Sequence, residues 1–89
     1  MEIIYSPEAL EDLKYWKKSG NKPIQKKIQE LIYAIQKDPY EGIGKPEQLK
    51  HDLSGRWSRR INKEHRLVYR INELNEIMIL DITSLRGHY

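Results

Sequence analysis

The sequence predicts an α+β fold: an N-terminal strand, two helices, then an antiparallel sheet of three to four strands with the helices packed on one face. Two observations carry this expectation. Ile24, Ile28, Leu31, Ile32 and Ile35 recur at helical spacing, and after Pro39 the chain passes through a glycine- and proline-rich stretch into segments of alternating polarity. With 89 residues there is chain for one hydrophobic core, so residues 1–89 are read as a single domain.

The elements follow in order. "EIIY" is a short apolar strand, and Ser6-Pro7-Glu8 is a helix start, combining an N-cap, a residue pre-set for the first helical position and an acid near the positive helix end. The first helix is expected from about Pro7 to Lys18, stopped at "SGN", where Gly20 can turn left-handed. A second, amphipathic helix carries Ile24 to Ile35, with Lys26, Lys27, Gln29 and Glu30 between its apolar positions, and ends at Asp38-Pro39. "YEGIGKPEQLKHDLSG" reads as loop with at most a short strand around Gln48 to His51. "RWSRRI" and "HRLVYRI" alternate apolar with polar side chains, and "EIMILDITSL" is a continuous apolar strand bounded by "NELN". If "NKE" connects the first hairpin, Arg60 falls opposite Arg66, and two guanidiniums on one face repel unless an anion lies between them.

No cysteine occurs, which excludes disulfides, thiol nucleophiles and cysteine-type zinc sites and fits a reducing cytoplasm. No apolar run approaches the ~20 residues of a membrane span, and "MEIIYSPEAL" lacks the basic start and long apolar stretch of a signal peptide. A soluble cytoplasmic protein without membrane contact is expected. A domain this small buries only about 60% of the surface its unfolded chain exposes, so size alone favours a partner or a second copy.

The formal charge of +3 is unevenly placed. Residues 1–44 balance seven basic with seven acidic side chains, whereas residues 45–66 hold Lys45, Lys50, Arg56, Arg59, Arg60, Lys63 and Arg66 against Glu47, Asp52 and Glu64, a local +4. That concentration is the footprint of a polyanion-binding surface. It is equally the composition of an edge hairpin kept soluble by charge.

Near the Arg pair the sequence offers Glu47 with Lys45 and Lys50 beside it, His51, His65, and a final "RGHY". Cleaving RNA without a metal requires a base for the ribose 2′-OH, cations for the crowded phosphate, and an acid for the leaving 5′-oxygen. A carboxylate, an arginine and a histidine cover the three roles. Each also has a plainer reading: Glu47 as a solvated loop acid, Arg66 as an exposed strand residue, His88 and Tyr89 as a frayed tail.

The stretch "GKPEQLKHDLSGRWSRRINKEHRLVY" and the final "HY" resemble the YoeB and Txe toxins of the RelE superfamily, as do "LKYWKK", "IQKKIQELI" and "DPYEGIGKPE". The resemblance implies a compact microbial-ribonuclease-like fold and a type II toxin–antitoxin system. The toxin would be an mRNA interferase that enters the ribosomal A site and cleaves the message, using no metal and no cofactor. It would be held in check by a YefM-like or Axe-like antitoxin and meet operator DNA only through that antitoxin; the exposed apolar edge of a small sheet could serve a homodimer or an antitoxin helix equally well. Carried over by residue, it implies Glu47 as general base, Arg66 as phosphate-stabilising arginine and His88 as general acid assisted by Tyr89. Lys50 and Arg60 match further basic positions of that site, and Lys45, Arg59 and His51 join them as expected RNA contacts, with His65 structural or RNA-contacting. The alternative is a non-catalytic module that binds RNA or only the antitoxin and acts in operon autorepression. A DNA-reading repressor is disfavoured because neither helix carries the Arg, Asn or Gln cluster of a recognition helix.

Overall fold

The computed structural model describes residues 1–50 and 55–82. Strand β1 (Ile3–Tyr5) leads into helix α1 (Pro7–Ser19), helix α2 (Lys22–Lys37), and then strands β2 (Glu47–Gln48), β3 (Trp57–Arg60), β4 (Arg66–Ile71) and β5 (Ile77–Asp81).

Helix α1 starts because the Ser6 hydroxyl accepts from the Ala9 amide at 2.9 Å, and ends at Gly20 with φ 72°. Asn21 caps α2 by accepting from the Ile24 amide at 3.2 Å, and the Asp38 amide closes it by donating to the Ala34 carbonyl at 3.0 Å. Ile24, Ile28, Leu31 and Ile35 are all buried, as their spacing requires. Burying side chains of this kind contributes about 1.5–3 kcal/mol each.

The strands form one five-stranded sheet in the order β1-β5-β4-β3-β2. Strands β2 to β5 are antiparallel neighbours as expected, but β1 pairs in parallel with β5, Ile3 opposite Ile77 and Tyr5 opposite Ile79, so the sheet is mixed. The chain between them runs through both helices and then back across the sheet by β2, β3 and β4, far more than the roughly dozen residues a parallel pair's connection needs. "NKE" does form the first hairpin: the Ile61 amide donates to the His65 carbonyl at 2.9 Å, and the Asn62 side chain accepts from the amides of Glu64 and His65.

Alternation divides the sheet into two faces. Ile77 and Ile79 of β5, Leu67 and Tyr69 of β4, and Ile61 beyond β3 pack against Ala9, Trp16, Ile28, Leu31 and Ile35 of the helices. Ser58, Arg60, Arg66, Val68 and Met78 have the opposite parity. A bulge shifts register at Val68/Tyr69, pairing Val68 with Asp81 and Tyr69 with Ile79 and leaving Leu80 between them. Ser6 satisfies the bulge, its hydroxyl donating to the Leu80 carbonyl at 2.7 Å while capping α1. Just beyond, α1 grips Ile82 from both sides. The Ile82 amide donates to Asp12 Oδ2 at 2.9 Å, and Trp16 Nε1 donates to the Ile82 carbonyl at 2.9 Å.

Among the described residues no helix is long and apolar enough to cross a membrane.

Candidate active site

Glu47 and Arg66 stand 19 positions apart in sequence and meet through β3. Strand β2 places Glu47 in register with Ser58, and β4 places Arg66 in register with Arg60 on the same face of the sheet. Arg66 Nη1 lies 3.4 Å from Glu47 Oε2 and 3.4 Å from Ser58 Oγ. The Glu47 side chain is 61% exposed and that of Arg66 29%, whereas Ser58 is fully buried. A solvent-open pair of this kind contributes at most about 1 kcal/mol to stability. What the arrangement offers chemically is a carboxylate, which can accept a proton, beside a guanidinium, which can meet a phosphate, with neither side chain sealed from solvent.

The expected Arg60–Arg66 juxtaposition is present in the register. Glu47 supplies the negative neighbour on the Arg66 side, and Arg60 is exposed. Lys45 and Lys50 are exposed on the chain flanking β2. His51, His88 and Tyr89 lie outside the described residues.

Arg59 is a correction. It was expected to contact RNA, but its side chain is fully buried beneath the loop that follows α2. Its Nη2 donates to the carbonyls of Asp38 at 2.6 Å and Glu41 at 3.0 Å, its Nη1 to that of Ile43 at 3.2 Å, and its Nε to the Tyr69 hydroxyl at 3.1 Å. Tyr69 in turn donates to the Pro39 carbonyl. Burial pushes the Tyr69 hydroxyl above its ordinary value, against the opposing pull of the Arg59 guanidinium, so the phenol keeps its proton for that bond. Arg59 is thus a positioning residue: it fixes the loop that delivers Gly44, Lys45, Pro46 and then Glu47. His65 is also buried, its ring edge-on to Trp16 at 4.8 Å between centroids, in keeping with a structural part.

Sequence reasoning missed Ser58, Tyr69 and the Asp12–Trp16 grip on Ile82. The alternation of "RWSRRI" does hold a signal for two of the placements. Ser58 shares the parity of Arg60, and Arg59 shares that of Trp57 and Ile61.

The family model for the YoeB-like toxin of bacterial type II toxin–antitoxin systems matches residues 5–89. The chain is 49% identical to toxin YoeB of Escherichia coli strain K12 over 89 residues, covering 100% of both chains. It is similar to a solved YoeB dimer from Staphylococcus aureus, with a TM-score of 0.85 at 47% identity, covering 100% of this chain and 98% of that one. A YoeB–YefM complex from Staphylococcus aureus gives a TM-score of 0.84 at 48% identity with the same coverage.

Proposed function

Because the chain belongs to the YoeB family of toxins from bacterial type II toxin–antitoxin systems, we propose that it is a ribosome-dependent endoribonuclease that stops translation by cutting mRNA in the A site. The observation that carries the reading is the Glu47–Arg66 pair, a carboxylate and a guanidinium 3.4 Å apart and open to solvent on one face of the sheet. Glu47 takes the proton of the ribose 2′-OH as that oxygen attacks the adjacent phosphorus. Arg66 meets the charge that builds on the phosphate oxygens, and Lys50 and Arg60 bind the RNA around the reacting group. The bond from phosphorus to the 5′-oxygen breaks, and His88, assisted by Tyr89, gives that oxygen its proton. The products are a 2′,3′-cyclic phosphate and a 5′-hydroxyl. The nucleophile is the substrate's own hydroxyl and the counter-charge comes from side chains, so the reading assigns no task to a metal or cofactor.

The single domain works in the cytoplasm, where its ribosomal target is. Relatives solved as a dimer and as a complex with YefM support a YefM-like antitoxin and a homodimer as its protein partners. Operator DNA is reached only through the antitoxin.

The test is cleavage of the message on a programmed ribosome, read by primer extension. Wild-type protein cuts within the A-site codon, and Arg66→Ala slows the cut by about 10²–10³, the effect of removing one preorganised donor. Wild-type rates from a folded Arg66→Ala protein would remove Arg66 from the mechanism.

A further inference from the structure

Four cations that the cleavage chemistry does not require as a set converge at the hairpin end of the sheet. A recess of about 290 Å³ is lined by Lys27 of α2, Gly44 and Lys45 of the loop before β2, Arg60 at the end of β3, and Ile61, Asn62 and Lys63 of the turn. Lys27 is half-buried, while Lys45, Arg60 and Lys63 are exposed. None of the four is in an ion pair with a carboxylate among the described residues.

The loop is built to bring Lys45 there. Gly44 has φ 83°, and a Cβ at that position would lie 2.6 Å from Leu31 Cδ2 and 3.1 Å from Arg59 Cβ, so only glycine lets the loop pass this close to α2 and β3. The Arg60 amide fastens it by donating to the Gly44 carbonyl at 2.6 Å. Lys45 itself has φ 51°, a left-handed conformation that a side chain disfavours, held where it presents an ammonium next to Arg60. Arg60 is in register with Arg66, so the recess adjoins the Glu47–Arg66 pair across one ladder step.

We propose that this recess is a phosphate subsite for the RNA backbone, separate from the reacting phosphodiester, with Lys27 and Lys63 as binding residues beside Lys45 and Arg60. The inference rests on the ribonuclease reading for its ligand. RNA is favoured over an acidic protein segment because the recess adjoins, through the Arg60–Arg66 register, the Glu47–Arg66 pair to which the ribonuclease reading already brings the message. Successive phosphates of one strand can then meet the two sets of cations together.

The experiment measures binding without cleavage, using a single-stranded RNA fully methylated at its 2′-oxygens, which cannot be cut by its own hydroxyl. Wild type, the double variant Lys27→Gln/Lys63→Gln and the charge-keeping variant Lys27→Arg/Lys63→Arg are titrated over a salt series. Circular dichroism confirms that each is folded. In the double glutamine variant the dissociation constant should rise about a hundredfold at low salt, roughly tenfold for each of the two charge-assisted contacts removed. The slope of log K against log salt should flatten by about 1.4, roughly 0.7 per charge removed, with the arginine variant keeping the wild-type slope. An unchanged slope in the glutamine variant overturns the proposal. So does loss of binding to a polyglutamate peptide with RNA binding intact, which would assign the recess to an acidic protein segment. Failure of ribosomal cleavage would sink the enzyme reading but leave these binding curves to decide the recess on their own.

Discussion

Arg59 and Arg60 are neighbours in sequence and opposites in role, because one step along a strand turns a side chain to the other face. Arg60 is exposed, whereas Arg59 is sealed beneath the loop after α2, its charge spread over the carbonyls of Asp38, Glu41 and Ile43. Asp38 is also the C-cap of α2, where a helix favours positive charge, so Arg59 ties the helix end to β3. Replacing it with methionine keeps much of the volume but strands three carbonyls and leaves the Tyr69 hydroxyl only its bond to the Pro39 carbonyl. Arg59→Met should therefore cost at least about 3 kcal/mol, given about 1–3 kcal/mol per buried polar group left without a partner. Arg59→Lys should recover little of it, since an ammonium cannot reproduce the planar fork that reaches three carbonyls and a phenol. Urea midpoints for both variants check this, and a wild-type midpoint for Arg59→Met would refute the positioning role. The inward parity of Arg59 was visible in "RWSRRI" between Trp57 and Ile61. What the sequence could not supply was the partner set, because backbone carbonyls of a loop leave no mark in side-chain pattern.

At the scale of elements, the parts that could be read from sequence were those with local causes. Helix α1 is announced by Ser6-Pro7 and stopped by Gly20, helix α2 by its isoleucine spacing, and the β3–β4 turn by "NKE". The parallel pairing of β1 with β5 was not legible: it joins Ile3 to Ile77, and nothing local to either strand states the direction of its partner. The bulge at Leu80 was hidden for a similar reason, since its carbonyl is satisfied by Ser6, 74 residues away. Of the candidate site, the residue types at Glu47 and Arg66 were legible from chemistry and resemblance. Their meeting depends on β2, two residues long and too short to show a period. The loop before β2 gives the prediction proper to this scale. Gly44→Ala must meet both an unfavourable φ and contacts at 2.6 Å and 3.1 Å, whereas Gly20→Ala meets an unfavourable φ of 72° with nothing within 4 Å. Gly20→Ala should cost about 1–2 kcal/mol, the left-handed penalty alone. Gly44→Ala should cost a further ~1–3 kcal/mol of overpacking, and it should lower RNA cleavage as well, because the same loop carries Lys45 and Glu47. Thermal melts of the two variants side by side check the ordering, and equal losses would show that the loop yields without strain.

Over the whole molecule, the helices cover one face of the sheet, the Glu47–Arg66 pair stands on the other, and the buried core reaches along β5 as far as Ile82. Asp12 and Trp16 hold the amide and the carbonyl of Ile82, which fastens β5 to α1 just ahead of the last seven residues of the chain. The proposed acid His88 and its helper Tyr89 stand in those last seven. Stability and catalysis should therefore separate at the end of the chain. Deleting His88 and Tyr89 removes no residue of the described core, so the circular dichroism spectrum and melting midpoint should stay close to wild type. Cleavage should fall by at least the roughly 10²–10⁴-fold that a positioned acid contributes. A deletion variant that unfolds would show that the tail also belongs to the core, while one that folds and cleaves at the wild-type rate would take the acid's role from His88. In the intact protein, the message fragment upstream of the cut should end in a 2′,3′-cyclic phosphate. A chelator should leave the rate unchanged under conditions that keep the ribosome whole, because in the proposed mechanism the attacking oxygen is the ribose hydroxyl, its proton passes to Glu47, and the phosphate charge is met by Arg66. Activity lost in EDTA and restored by Mg²⁺ with intact ribosomes would move the phosphate's counter-charge from Arg66 to a bound ion and overturn the roles given to Glu47 and His88.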